Sequence, residues 1–291
     1  MSANGGGIDW GAVIRSPRVL IGGAIVLAII GCALFAPWLA PNDPEEQNLI
    51  SALLPPAWVT GGESQFPLGT DSLGRCLLSR LFFGARVAIY VAVVAAFGAM
   101  LLGGILAQVA GYFGGRVDWA IGRAVDVWMS FPPVVLSLIL MVGFGVGVNN
   151  VVLAIILVDW TRFCRVLRSE VLVVMRRDYI AAARLVGFTH VQVMVRELLP
   201  AIIPLTITLL SLEMGIAVVV ETILSFVGLS VEASVPAWGV MIADARNIMY
   251  QSPWNLVLPI LAVFVTVFGF NLLGDGLRRT VDPRLARRAG S

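Results

Sequence analysis

Three carboxylates stand where a water-soluble protein would not put them. Asp159, Glu213 and Glu221 fall inside or beside long apolar stretches. A carboxylate in hydrocarbon is costly, so it pairs, lines a cavity or meets a partner. Asp159 has Arg162 and Arg165 close behind it and reads as an intramolecular pair. Glu213 and Glu221 are close to two helical turns apart, so they share roughly one helix face. A polar path and a subunit interface are both open to them. Other chemistry is excluded. One histidine, His190, and three separated cysteines, Cys32, Cys76 and Cys164, with no C-x-x-C, provide no clustered metal ligands. A G-x-S-x-G nucleophile motif is missing. Every basic residue is arginine, and a phosphate-binding loop of the Walker type needs lysine. This chain therefore has no ATPase loop of its own.

The elements that position these groups follow from composition. Hydrophobic residues make up 58% and charged residues 13%, with mean hydropathy +0.91. A soluble domain carries about a quarter charged residues. The apolar residues fall in long uncharged blocks, which read as membrane spans. Spans are expected at residues 19–39, 87–112, 121–144, 151–167, 201–227 and 254–273. The first, within residues 19–40, is read as a retained span and not a cleaved signal. Pro132-Pro133 should kink the third. Residues 1–18 precede the spans, with a short surface helix expected at Ile8–Ile14. Residues 41–83 are a polar outer segment, 84–276 the membrane core, and 277–291 a basic tail.

Arginine placement orients the chain. With the N-terminus inside, the inner segments hold Arg15, Arg18, Arg116, Arg123, Arg162, Arg165, Arg168, Arg176, Arg177, Arg184 and Arg196. The tail adds Arg278, Arg279, Arg284, Arg287 and Arg288, suited to anionic lipid rather than nucleic acid. Outer segments keep Arg75, Arg80, Arg86 and Arg246 and collect acids such as Asp43, Glu45, Glu46, Glu63, Asp71, Glu232 and Asp244. Both termini are then cytoplasmic, which six spans satisfy. The fold class expected is an all-α membrane protein of six transmembrane helices.

The inner segment at residues 168–200 is not a plain linker. Asp178 is placed as an N-cap, Gly187 as the residue ending that helix, and Thr189-x-x-Gln192 as a capping box opening a second. Pro200 should sit near the first turn of the fifth span. The result is two short capped helices, with the small face Ala181, Ala182 and Ala183 able to approach a groove. The segment resembles the EAA motif of bacterial ABC-importer permeases. Ala182, Ala183, Gly187, Leu199 and Pro200 match at the family spacing, while Ala181 replaces the usual Glu and Glu197 the usual Ile. Leu68-Gly-Thr-Asp-Ser-Leu-Gly-Arg75, Ser79-Arg-Leu-Phe-Phe-Gly-Ala-Arg86, Gly111-Tyr-Phe-Gly-Gly-Arg-Val-Asp118, Leu224-Ser-Phe-Val-Gly-Leu229, Trp238-Gly239 and Asp282-Pro-Arg284 extend the likeness. They are similar to the C-type permeases of dipeptide, oligopeptide and nickel importers, with Cys76 in place of the usual Asp.

That resemblance implies a type I ABC-importer permease fold in a bacterial plasma (inner) membrane. It implies a second homologous permease as heterodimer partner, two ATP-binding subunits carrying ATP and Mg, and an extracytoplasmic binding protein. No cofactor is implied on this chain. Asp178, Tyr179, Ala181, Ala182, Ala183, Arg184, Gly187, Leu199 and Pro200 would form the coupling site for the ATPases. Pro236, Trp238 and Asp244, in the outer loop 228–252, would lie near the binding protein, and Trp238 also suits a membrane-interface anchor. Glu213 and Glu221 would handle the charged amine of a peptide or sit at a subunit interface. Scarce His and Cys favour peptide over nickel as cargo. A secondary transporter would show inverted repeats, and none is evident. A membrane enzyme would need a catalytic cluster.

Overall fold

The computed structural model describes residues 15–232 and 234–281. The expected surface helix at Ile8–Ile14 and the tail motif from Asp282 onward, with Arg284, Arg287 and Arg288, lie outside the described residues. Within them the structure is helical, apart from an isolated bridge between Thr70 and Cys76. Helix α1, Pro17–Leu34, starts on a proline, whose missing N–H costs nothing at a helix start. It breaks at Phe35 and continues as the single turn α2, Ala36–Leu39.

Helix α3 runs Leu77–Phe113, 37 residues, about 55 Å. It begins ten residues before the expected span. Arg80, read as an outer charge, lies inside the helix and is 1% exposed. Its guanidinium is neutralised by Asp71, 3.8 Å away, and donates to the carbonyl of Pro44 at 3.4 Å. The folded segment before α3 thus supplies the counter-charge that water would otherwise provide.

Beyond Gly114 come α4, Gly115–Met129, and α5, Pro133–Phe144, which meet at 88°. The expected kink is a break. Pro132 and Pro133 cannot donate to the preceding turn, and Phe131 is biased away from helical backbone by the proline after it. Helix α6 is Val148–Val174, α7 Asp178–Leu185 and α8 His190–Val193. A π turn, Met194–Leu198, leads into α9, Leu199–Phe226. The short helix α10, Trp238–Ala245, and the final α11, Trp254–Val281, complete the order. Four helices among the described residues are long and apolar enough to cross a membrane, or five if α4 and α5 form one bent span. Helix α6 is long enough but carries Asp159, Arg162, Arg165, Arg168 and Glu170.

Small residues hold the core together. Helix α3 turns Ala85, Ala88, Ala92, Ala95, Ala96, Ala99, Ala107 and Ala110 inward. Helices α6 and α9 pack on that face, through Ile155, Phe163 and Leu167 on α6 and Ala217, Val220 and Leu224 on α9. Such close approach replaces the hydrophobic drive that lipid cannot provide. Arg18 of α1 pairs with Asp275 of α11 at 2.5 Å, tying the first helix to the last.

Trp238 is not an interface anchor. It is 2% exposed and packs with Leu77, Ala85, Ala88 and Met241. Its indole N–H donates to the Leu81 carbonyl at 3.1 Å. Pro236 is buried too, and Asp244 is the exposed member of the three loop residues. Trp238→Ala should cost about 3–5 kcal/mol, read as a lower melting temperature of the purified chain in mild detergent. An unchanged melting temperature would mean that α10 does not dock here.

Candidate functional site

The segment joining α6 to α9 is built from the cap residues outward. Arg177, with extended backbone, is the N-cap of α7, and its carbonyl accepts from Ile180 N–H at 3.1 Å. Asp178 is the first residue inside the helix and makes no side-chain cap bond, which corrects its assignment as N-cap. Its charge still faces the positive end of the helix. Gly187 has φ +94°. Its N–H donates to Arg184 O, and Phe188 N–H donates to Ala183 O, both at 3.1 Å, closing a Schellman motif. At the next start, Thr189 N–H donates to Gln192 Oε1 at 2.8 Å, and Gln192 N–H to Thr189 Oγ1 at 3.3 Å. This is the capping box read from sequence. Thr189→Ala should lower the unfolding free energy of this segment by about 1 kcal/mol, seen as faster amide exchange across α8.

The second short helix is not separate. Residues His190–Phe226 form one continuous helix. Pro200 sits inside it and cannot donate, and the wider π turn just before it takes up the mismatch. Leu199 N–H accordingly bonds Met194 O. Leu199 and Pro200 therefore belong to the membrane helix, a full turn beyond the capped loop.

Ile180 anchors α7, buried against Val171, Val174, Val193, Leu198 and Ile202. Ala181 and Ala182 are exposed, and Ala183 is half-buried. Tyr179 is exposed as well; partial burial and the nearby Glu197 push its phenol above the usual value. Leu185, Val186 and Val191 are also exposed, at 89%, 78% and 68%. Sequence reasoning missed these three, although apolar residues flanking a helix-ending glycine in a polar segment were a legible signal. Arg184 turns back toward the end of α3, its guanidinium 4.9 Å from the Tyr112 ring centre. Tyr112 also hydrogen-bonds His190 Nδ1 at 2.7 Å. His190 is the first residue of α8.

The second group of charges is internal. Arg162 of α6 donates to Glu213 of α9, 3.1 Å to Oε2, and its other terminal nitrogen is 3.8 Å from Asp159. Asp159 therefore has the partner expected for it, while Arg165 pairs with Asp126 at 2.7 Å. Glu213 and Glu221 are 2% and 1% exposed. Within this chain both carboxylates are covered by its own residues. Arg162 covers Glu213. Glu221 accepts from the hydroxyl of Ser225 on its own helix and from Ser230 at 3.2 Å. A cleft of about 340 Å³ lies between α4 and α6, lined by Asp118, Trp119, Arg123, Asp126, Arg165 and Arg168. Asp118 takes two hydrogen bonds from Arg168. Among the described residues no cluster of His, Cys, Asp or Glu is placed to hold a metal.

Ahead of α3, Asp71 accepts from Arg75 Nε at 2.6 Å, and Arg75 also reaches Asp244 at 3.1 Å. This network fastens the segment before α3 to α10.

Residues 72–287 match the family described as "Binding-protein-dependent transport system inner membrane component". Residues 10–56 match the "N-terminal TM domain of oligopeptide transport permease C". The di/tripeptide transport system permease protein of Pseudomonas aeruginosa (strain UCBPP-PA14) is 36% identical over 280 residues, spanning 96% of this chain and 92% of the relative. The nickel transport system permease protein of Escherichia coli (strain K12) is 38% identical over 262 residues, 90% and 92% of the two chains. The glutathione transport system permease protein of Pectobacterium atrosepticum is 34% identical over 276 residues, 95% and 90% of the two. Among solved structures, an amino acid ABC transporter with histidines shares the fold, with TM-score 0.52 and 17% identity over 69% of this chain and 93% of that one.

Proposed function

The chain belongs to the family of inner membrane components of binding-protein-dependent transport systems, and from that premise we propose that it is one of two permeases in an ATP-driven importer of di- or oligopeptides. It is a multi-pass protein of the inner membrane. In this reading it contributes half of the translocation pore, crosses the membrane six times and keeps both termini in the cytoplasm. Its partners are a second homologous permease, two ATP-binding subunits that hold ATP and Mg, and an extracytoplasmic binding protein. Membrane lipid surrounds the rest.

The observation that carries the reading is the capped segment at residues 178–193. Its backbone is set by a Schellman turn and a capping box, yet Tyr179, Leu185, Val186 and Val191 lie open. An ordered apolar surface on a polar segment is suited to a protein partner. Asp178, Ala181, Ala182, Ala183, Arg184 and Gly187 shape that surface. Leu199 and Pro200 join it to the membrane helix. Residues 228–252, with exposed Asp244, are the side proposed for the binding protein.

Peptide is favoured over nickel because metal ligands are sparse, although permeases named for both are similar to this chain. A nickel or metal-chelate importer is the second reading. Reconstitution with the copurified permease, ATPases and binding protein tests the choice. ATP hydrolysis stimulated by binding protein loaded with dialanine, and not by nickel, is the expected result. Nickel-dependent stimulation alone would establish the second reading. Solute uptake by this chain without ATP would replace both with a secondary transporter.

A further inference from the structure

The half of α6 leading toward Val174 presents an unusual face. Arg162, Arg165, Val166, Ser169 and Val173 fall on one side of the helix at spacings of three and four. All are exposed or half-exposed. In the first half of the same helix the exposed residues are Asn149 and Leu153, on the opposite side. A face with arginines one turn apart does not lie against acyl chains, where each costs about 2.5 kcal/mol or more. It faces water or protein.

Arg162 differs from the other two arginines in its setting. Its side chain is 36% exposed, while both its carboxylate partners are nearly sealed, Asp159 at 4% and Glu213 at 3%. A solute approaching this face therefore meets guanidinium N–H groups and not the carboxylates behind them. Glu213 engages one terminal nitrogen through both its oxygens, and the second terminal nitrogen has only the longer contact to Asp159. The outward edge keeps donors to spare. That planar edge matches a carboxylate. Arg165 and Arg168 continue the positive face, each held by an aspartate of α4.

We propose that Arg162 is a cargo contact in the translocation path and recognises a carboxylate, such as the free C-terminus of a peptide. The inference rests on the reading of this chain as half of an importer pore. It differs in polarity from one of the two expectations drawn from sequence, in which Glu213 handles an amine; the other placed it at a subunit interface. Asp159 and Glu213 have a positioning role: they fix the guanidinium and temper its charge, so that cargo is bound weakly enough to leave.

The complete transporter in proteoliposomes provides the test. Arg162→Gln alone leaves two sealed carboxylates without a cation, a structural injury in itself. The triple variant Arg162→Gln, Asp159→Asn, Glu213→Gln removes all three charges and keeps the shapes. Copurified ATPase and melting temperature report its assembly. The triple variant should assemble, yet take up dialanine about ten- to a hundredfold more slowly than the natural complex. Uptake of dialanine amide, which lacks the carboxylate, should be the same in both. Recovery of dialanine uptake in the triple variant would reduce Arg162 to a structural partner, and equal loss for both cargoes would overturn the carboxylate assignment.

A second arm needs no cargo. Arg162→Cys in the Asp159→Asn, Glu213→Gln background, with Cys32, Cys76 and Cys164 replaced by Ala, should react with the anionic reagent sulfonatoethyl methanethiosulfonate in the assembled complex. No reaction, at rest or during ATP turnover, places the side chain against lipid or the second permease and overturns the proposal. Failure of the natural complex to import dialanine would fault the peptide reading of the importer instead, and the labelling result would still stand.

Discussion

Gly103→Ala destabilises the chain by about 1–3 kcal/mol, while Gly104→Ala, one residue on, leaves it unchanged or slightly more stable. The contrast follows from where a methyl group would land. At Gly103 it would lie 2.3 Å from the Trp160 carbonyl oxygen, 2.7 Å from Phe163 Cβ and 3.0 Å from the backbone nitrogen of Cys164. Two of these atoms are backbone and the third is fixed to it, so α3 and α6 must move apart. Separation would loosen a long interface to which α3 contributes mostly alanines, too short to refill the gap. At Gly104 the nearest atom is the tip of Leu167, at 3.7 Å, an ordinary contact. There the better helix propensity of alanine is worth up to about 1 kcal/mol. Thermal melting in mild detergent, with the yield of monodisperse protein, distinguishes the pair. Equal behaviour would show that α3 and α6 are not in this register.

Gly187→Val uncouples ATP hydrolysis from transport and leaves the chain inserted. No atom lies within 4 Å of the position a side chain would take, so space is not the obstacle. The backbone is: φ is +94°, where a β-branched residue is strained by about 1–3 kcal/mol. Relief requires opening the Schellman turn, which reorients α7 relative to α8. The population of the native turn then falls about tenfold or more. Cargo-stimulated hydrolysis should fall with it, while Gly187→Asn, whose side chain tolerates positive φ, should retain much of it. Full stimulation in the valine variant would remove the coupling role from this segment.

Legibility in the sequence tracked the range of the interactions. The caps at Gly187, Thr189 and Gln192 were readable because each involves residues a few positions apart. The apolar runs marked the membrane helices for the same reason. The start of α3 at Leu77 was not readable, because Arg80 is tolerated inside a helix only through Asp71 and Pro44 in the folded segment before α3. The 88° break was legible as Pro132-Pro133, but its angle was not, since α4 is held to α6 by the pairs Asp118–Arg168 and Asp126–Arg165. In the candidate site, Glu213 was legible as a carboxylate in an apolar stretch, but the group that pairs with it was not. Its partner Arg162 comes from another helix, and sequence alone shows the charge but not what covers it.

The unbroken helix His190–Phe226 has a mechanical consequence. A flexible linker would absorb a push by rotating a few backbone dihedrals, and nothing beyond it would feel the displacement. A rod about 55 Å long does not bend so cheaply. Movement at its His190 end reappears as tilt along its whole length, growing with distance from the pivot. Glu213, with Arg162 attached, lies about 35 Å along that lever. The widened turn at Met194–Leu198 is the joint where it is softest, close to one end. A small lateral step at the capped loop would thereby be carried toward the buried charges along a helix whose interior also holds Pro204.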